Sequence, residues 1–289
     1  MSNWTQHTPY NNDKVVIGSK NFNSTTGVDI DSDNVGLNST GKKVVPAGLF
    51  LANVGGVNRF LPRDLAQAAI ATDSTAVEVS MPELFLVGDM LYQLEPEGLI
   101  TLADTWAAGD TVTIRFIEPS KGINVQYTHT QVGADLAAVD DELVAALNLA
   151  TNPLSKYARF EVGTAGQIKI FTKGLVPTVS VVATTAGDGT ATVTTQPSAI
   201  PVLIGTVASI DHANSTLTLD ANAAVALSEG ARIGVLASDI YGVHAHSVDF
   251  SDVTARQLNA IDVCDRVYIS GLAYYDQELD ARFPNLIFK

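Results

Sequence analysis

Leu99-Ile100-Thr101-Leu102 leads by a short connector to Ala108-Gly109-Asp110-Thr111-Val112-Thr113-Ile114. Apolar and polar residues alternate on both sides of the glycine. Successive side chains of an extended strand point to opposite faces, so this alternation gives each strand one face for a core. Glycine permits the tight reversal. The arrangement recurs twice. Thr75-Ala76-Val77-Glu78-Val79 precedes Gly88-Asp89-Met90-Leu91-Tyr92, and Ser215-Thr216-Leu217-Thr218-Leu219 precedes Gly230-Ala231-Arg232-Ile233-Gly234-Val235. The irregular spacing of the copies argues against a solenoid. Units of this kind predict a mainly β chain, built as a small antiparallel barrel or sandwich.

Outward from these units the pattern changes. Residues 121–196 read as an inserted α+β lobe. Gly122 to Tyr127 is a predicted strand. Asp135 to Ala150 is a predicted helix, with Leu136, Val139, Leu143 and Leu147 on one face and Asp140, Asp141 and Glu142 opposite. Four strands follow, Tyr157 to Val162, Gln167 to Thr172, Thr178 to Thr184 and Thr190 to Thr195, divided by glycine-rich turns. One amphipathic helix on such a sheet makes an α+β unit. Residues 41–120 and 197–289 then form the two parts of one β domain. Pro62 to Ile70, with Pro at its first turn, is a predicted short helix.

Residues 1–40 are rich in Asn, Thr, Ser, Gly and Asp, with spaced apolar residues Trp4, Tyr10, Val15, Val16, Ile17 and Phe22. Such a stretch buries too little apolar surface to fold by itself. It is either a tail without fixed structure or an extended arm that orders against a neighbouring subunit through those six anchors.

Composition bounds the function. Of 289 residues, 46% are hydrophobic, enough for a core, and only 17% are charged. Lys and Arg number 17 against 31 Asp and Glu, a formal charge of -14. Phosphate binding depends on neutralisation by Lys and Arg, so nucleic acid and anionic membrane are not expected partners. The acidity keeps free copies soluble and apart. The single cysteine, Cys264, lies among apolar residues and reads as a small buried hydrophobe. The polar start lacks the charge and apolar run of a signal peptide, and no apolar run reaches membrane-spanning length. The expectation is a protein made in a cytoplasm, where it stays soluble or joins a larger assembly.

Motifs for chemistry are weak. His244-Ala245-His246 places two imidazoles on one strand face, but zinc needs further ligands; a pair of surface or interface imidazoles is the alternative. Asp29-Ile30-Asp31-Ser32-Asp33-Asn34 opens like a calcium loop, yet Asn34 and Thr40 stand where Gly and Glu are required, so an oxygen-rich turn is the better account. Asp140-Asp141 reads as a solvated helix face. No phosphate-binding glycine loop or nucleophile elbow is present in the sequence. The expectation is a non-enzymatic protein with no cofactor and no metal. A hydrolase with a dispersed triad has no sequence feature in its favour.

Three stretches, in order, resemble tailed-bacteriophage head decoration (capsid cement) proteins of the lambda-D-like or a related kind. They are Val44-Val45-Pro46-Ala47-Gly48-Leu49, Gly242-Val243-His244-Ala245-His246-Ser247-Val248-Asp249, and Val267-Tyr268-Ile269-Ser270-Gly271-Leu272-Ala273-Tyr274 with Leu279. The resemblance covers the first and last thirds of the chain. It departs at Ser247, where an Asp is usual, and by the 121–196 lobe. It implies a structural virion protein, made in the host cytoplasm, that binds the outer capsid surface and cross-links neighbouring major capsid subunits to stabilise the head. It also implies self-association, often as a homotrimer, and an N-terminal segment that docks on the shell. The alternative is a phage tail or fibre module that binds a receptor or carbohydrate, with the lobe as recognition head.

Overall fold

The described residues hold twenty-three strands and one α-helix, and a curled antiparallel sheet forms a half-barrel. The mainly β class expected from the alternation therefore holds. The computed structural model describes residues 22–24, 27–95, 97–132, 136–173, 176–198, 201–244, 246–258, 260–267 and 286–288. The chain divides into two units: one runs to Leu94 and resumes at Val202, and the other spans Glu95–Pro201.

The first unit opens with β1 (Phe22–Ser24), β2 (Val28–Asp31), β3 (Val44–Val45), β4 (Leu49–Val54), β5 (Val57–Phe60), β6 (Arg63–Leu65), β7 (Ala76–Glu78) and β8 (Met90–Gln93). The second unit holds β9 (Glu97–Ala103), β10 (Thr111–Glu118), β11 (Ile123–Thr130), α1 (Leu136–Asn148), β12 (Ala158–Val162), β13 (Gln167–Thr172), β14 (Thr178–Thr184) and β15 (Thr190–Thr195). The first unit resumes with β16 (Val202–Asp211), β17 (Thr216–Leu219), β18 (Arg232–Gly234), β19 (Asp239–His244), β20 (Val248–Asp249), β21 (Ala255–Leu258), β22 (Ile261–Val267) and β23 (Leu286–Phe288).

In the first unit, one sheet runs β1-β22-β19-β4-β5 with β23 beside β22, and another runs β6-β18-β8-β16-β17-β7. Leu49, Leu51, Phe85, Leu91, Ile204, Leu217, Ile233 and Val243 share one buried cluster. Each such side chain contributes on the order of 1.5–3 kcal/mol when removed from water. The second unit is inserted between β8 and β16. These strands are antiparallel neighbours with Val202 opposite Gln93, so the two ends of the insertion lie side by side. A long insertion there leaves the pairing intact.

The second unit has sheets β11-β10-β14 and β12-β13-β9-β15, with α1 packed chiefly on β12. Val139, Leu143 and Leu147 of α1 join Ile100, Ile114, Phe116, Phe160 and Ile168 in its own core. The helix and the four strands after it lie where the periodicity places them.

Four expectations are corrected. The insertion begins at Glu95, not residue 121, because β9 lies between β13 and β15 and β10 between β11 and β14. Pro62 to Ile70 is not a helix: Arg63–Leu65 pairs with β18, and cross-strand bonding overrides the local helical signal. Residues 1–40 are not one arm. Val28 to Asp31 pairs with β21 and buries Val28 and Ile30, with Val35 following into the same core. Asp140 is not on a solvated face; it is fully buried. Within each strand–glycine–strand unit the two strands do not pair with each other. β7 and β8, β9 and β10, and β17 and β18 each pair with other strands, because the connectors carry the chain across a sheet or into another one.

Candidate functional site

The first two stretches of the capsid-protein resemblance meet in space. Val45 of β3 lies opposite Val248 of β20, and Leu49 of β4 opposite His244 of β19. Both chains break between these pairings and turn a corner together. Gly48 makes the turn at φ 88° and donates its N–H to the His244 carbonyl at 2.9 Å. A side chain at that φ is strained. His244 is buried, with its ring edge-on to Phe60 at 6.4 Å between centroids. Phe60 in turn meets Phe250 edge-on at 6.2 Å. His246 is exposed, 6.2 Å from His244. The two imidazoles are thus one core group and one surface group, rather than a surface pair. A cavity of about 10 Å³ beside them, lined by Gly48, Leu49, Phe50, Leu61 and Arg63, has room for on the order of one water.

Buried charge near this corner is committed to scaffold. Two guanidinium nitrogens of Arg59 donate to Asp89 at 2.8 and 2.6 Å, and one also reaches the Leu84 carbonyl at 2.7 Å. Asp64 accepts from Ser80 N–H, Ser80 hydroxyl, Met81 N–H and Leu65 N–H, at 2.6 to 2.8 Å. These bonds hold the segment from Ser80 to Asp89 rigid. Glu83 is buried within it, and desolvation, followed by repulsion from Asp64, pushes its carboxyl to about 7 against a backbone hydrogen bond that lowers it. The Glu83 carbonyl accepts from Gly36 N–H at 3.0 Å, which ties down the stretch after β2.

Two exposed surfaces remain as candidates for interaction. The outer face of β8 and β16 shows Met90 and Leu203, 47% and 39% exposed, with half-buried Tyr92 opposite Leu203. Val87, 67% exposed, stands just before β8. None of these four side chains is charged, and contiguous exposed apolar residues mark interaction surfaces. The alternation does not reveal it; its one signal is the unbroken apolar run Val202-Leu203-Ile204.

The second surface is one end of the inserted unit, where its loops are tied together. Asp110 accepts from Ala107 N–H and Ala186 N–H, both at 2.8 Å, and Gly109 N–H donates to the Gln131 carbonyl at 2.9 Å. Leu102 N–H reaches Gly166 at 2.7 Å, and Gly166 N–H binds the Asp140 carboxylate. Burial raises the Asp140 carboxyl above its usual range, the Gly166 hydrogen bond opposes that rise, and Asp141 adds to it. Rigidly tied loops at one end of a β scaffold are a common place for recognition.

The sequence-derived anchors divide. Trp4, Tyr10, Val15, Val16 and Ile17 lie outside the described residues. Phe22 is not in an arm: it belongs to β1, paired opposite Cys264 of β22 in the chain's own sheet. The Cys264 side chain, and the closing motif beyond Val267, also lie outside the described residues. The turn at residues 31–34 is the oxygen-rich turn expected: Asp31 accepts from Asp33 N–H at 3.1 Å and starts a single 3-10 turn. Among the described residues, no three His, Cys, Asp or Glu side chains are placed to hold a metal ion. No helix among them is long and apolar enough to cross a membrane. No protein-family model matches the chain, and no curated protein matches it.

Proposed function

We propose that this chain is a head decoration protein of a tailed phage, binding the outer face of the capsid and linking neighbouring major capsid subunits. The observation that carries the reading is the pairing of Val45 with Val248 and of Leu49 with His244. The two stretches that resemble the decoration family, far apart in sequence, build one corner of one unit. Two features add support. Residues before Phe22 precede a strand that ends a sheet, which suits a segment that docks on a neighbour. The uncharged strip of Met90, Tyr92 and Leu203 suits a protein surface better than a polyanion. Many weak identical contacts over a shell act together by avidity. The reading assigns no reaction centre and no cofactor to the chain, and its partners are the major capsid protein and further copies of itself.

The experiment is binding to expanded capsids stripped of decoration, followed by a copy count. Saturation at a copy for every one or few capsid subunits supports decoration. A single ring of copies at one vertex supports the rival reading, a tail or fibre module that recognises a receptor or carbohydrate. The tied loop end of the inserted unit, around Asp110 and Gly166, is the observation that favours that rival.

A further inference from the structure

β11, Ile123-Asn124-Val125-Gln126-Tyr127-Thr128-His129-Thr130, is the longest edge strand among the described residues. It contains no Lys, Arg, Asp, Glu, Pro or Gly. Burial holds His129 below the ordinary imidazole range, against the pull of Glu142, so this residue is neutral as well at pH 7. Edge strands expose unpaired backbone groups and are normally blunted by charge, proline, shortness or cover.

The other edges of the inserted unit are blunted. β12 carries Arg159 and Glu161, which form an ion pair. On β14, the Gln196 side chain accepts from Val179 N–H at 2.8 Å and donates to its carbonyl at 2.7 Å, occupying the edge as a strand would. β15 packs alongside β14. β11 alone has none of these devices among the described residues.

We propose that β11 pairs with β11 of a second copy, antiparallel about a two-fold axis at Gln126, joining two three-stranded sheets edge to edge. The sequence is self-complementary in that register. Val125 faces Tyr127 twice on the inner side, a β-branched–aromatic pair of the kind that stabilises sheets. On the outer side Asn124 faces Thr128 and Gln126 faces its own counterpart. Charge selects the same occupant. Copies of a chain with net charge -14 repel each other, and this edge lets two of them meet without placing like charges opposite. The two-fold contact is isologous and closes at two subunits. It is independent of capsid binding.

The test uses the full chain with Cys264→Ala as background. Gln126→Cys puts two cysteines at the axis, with Cα atoms roughly 4.5–5.5 Å apart, within disulfide reach. The expected result is concentration-dependent dimerisation in sedimentation and rapid crosslinking at Gln126→Cys. Thr128→Lys, an exposed substitution, weakens association by roughly tenfold or more, while Thr128→Val preserves it. Thr192→Cys, on the outer side of β15, is the collision control. A chain that stays monomeric, or that crosslinks at residue 126 no faster than at residue 192, overturns the proposal. So does a dimer indifferent to Thr128→Lys.

Discussion

Arg59 and Asp89 form a buried ion pair in which two guanidinium nitrogens grip two carboxylate oxygens, at 2.8 and 2.6 Å. The two bonds pair the charges, while Arg59 Nε is buried without a hydrogen-bond partner among the described residues. Asp89 also accepts Leu86 N–H at 2.8 Å, so the pair fixes the loop ahead of β8. Removing one partner leaves the other charge buried and unmatched. Arg59→Ala and Asp89→Ala are each expected to cost about 3–5 kcal/mol. The joint replacement Arg59→Met with Asp89→Leu is expected to cost less than either, since no charge is stranded. Urea midpoints of the three variants check this.

Glu83 makes stability fall as pH rises. Its carboxyl titrates near 7 in the fold, against 4.5 as the ordinary value. Below about pH 4.5 it is neutral in both states and contributes nothing. Above about 7 it is ionised in both, and the folded state carries the cost of a desolvated carboxylate. Between these limits the folded state binds more protons, so this contribution to stability declines with pH. The size is on the order of 3 kcal/mol. Glu83→Gln is expected to stabilise the chain at pH 8 and to leave it unchanged at pH 4. The difference between the two unfolding curves against pH isolates this group from other carboxylates.

Gly48 holds the corner between the two paired stretches. Its φ of 88° lies in the left-handed region, and its N–H is bonded to His244. Gly48→Ala is expected to cost about 1–2 kcal/mol from backbone strain alone. Thermal unfolding reads the loss. If this corner supports the capsid-binding surface, affinity for capsids falls with it at temperatures where the variant is still folded.

Much of the inserted unit was legible in the sequence. The helix Leu136–Asn148 and strands β12 to β15 follow from local periodicity and glycine turns, which mark each element even where its partner is distant, as β14 is from β10 and β15 from β9. What was not legible depends on distant pairing. Alternation in Thr75 to Val79 shows which face is buried but not that the strand pairs with β17. The helical signal at Pro62 to Ile70 yields to a strand because β18 supplies cross-strand bonds and Asp64 gathers the donors of Ser80 and Met81. Asp140 sits at a polar position by pattern, yet Gly166 from another turn reaches it and draws it inside. The exposed strip at Met90 and Leu203 needed the β8–β16 register, which places Leu203 opposite Tyr92.

The fold also narrows the segment that is proposed to dock on the shell. Residues 28–35 belong to the core, so a deletion through residue 40 tests stability as much as docking. Removal of residues 1–21 leaves β1 and β2 in place. That shorter deletion is expected to leave thermal unfolding nearly unchanged and to weaken capsid binding at least tenfold through lost avidity.

The most direct measurement is the number of copies of this chain on the intact particle, by quantitative mass spectrometry with a cryo-EM map. Density over the outer shell, at a copy for every one or few major capsid subunits, is the outcome expected of a decoration protein. Absence from the shell, or one ring confined to the tail vertex, would contradict the decoration reading.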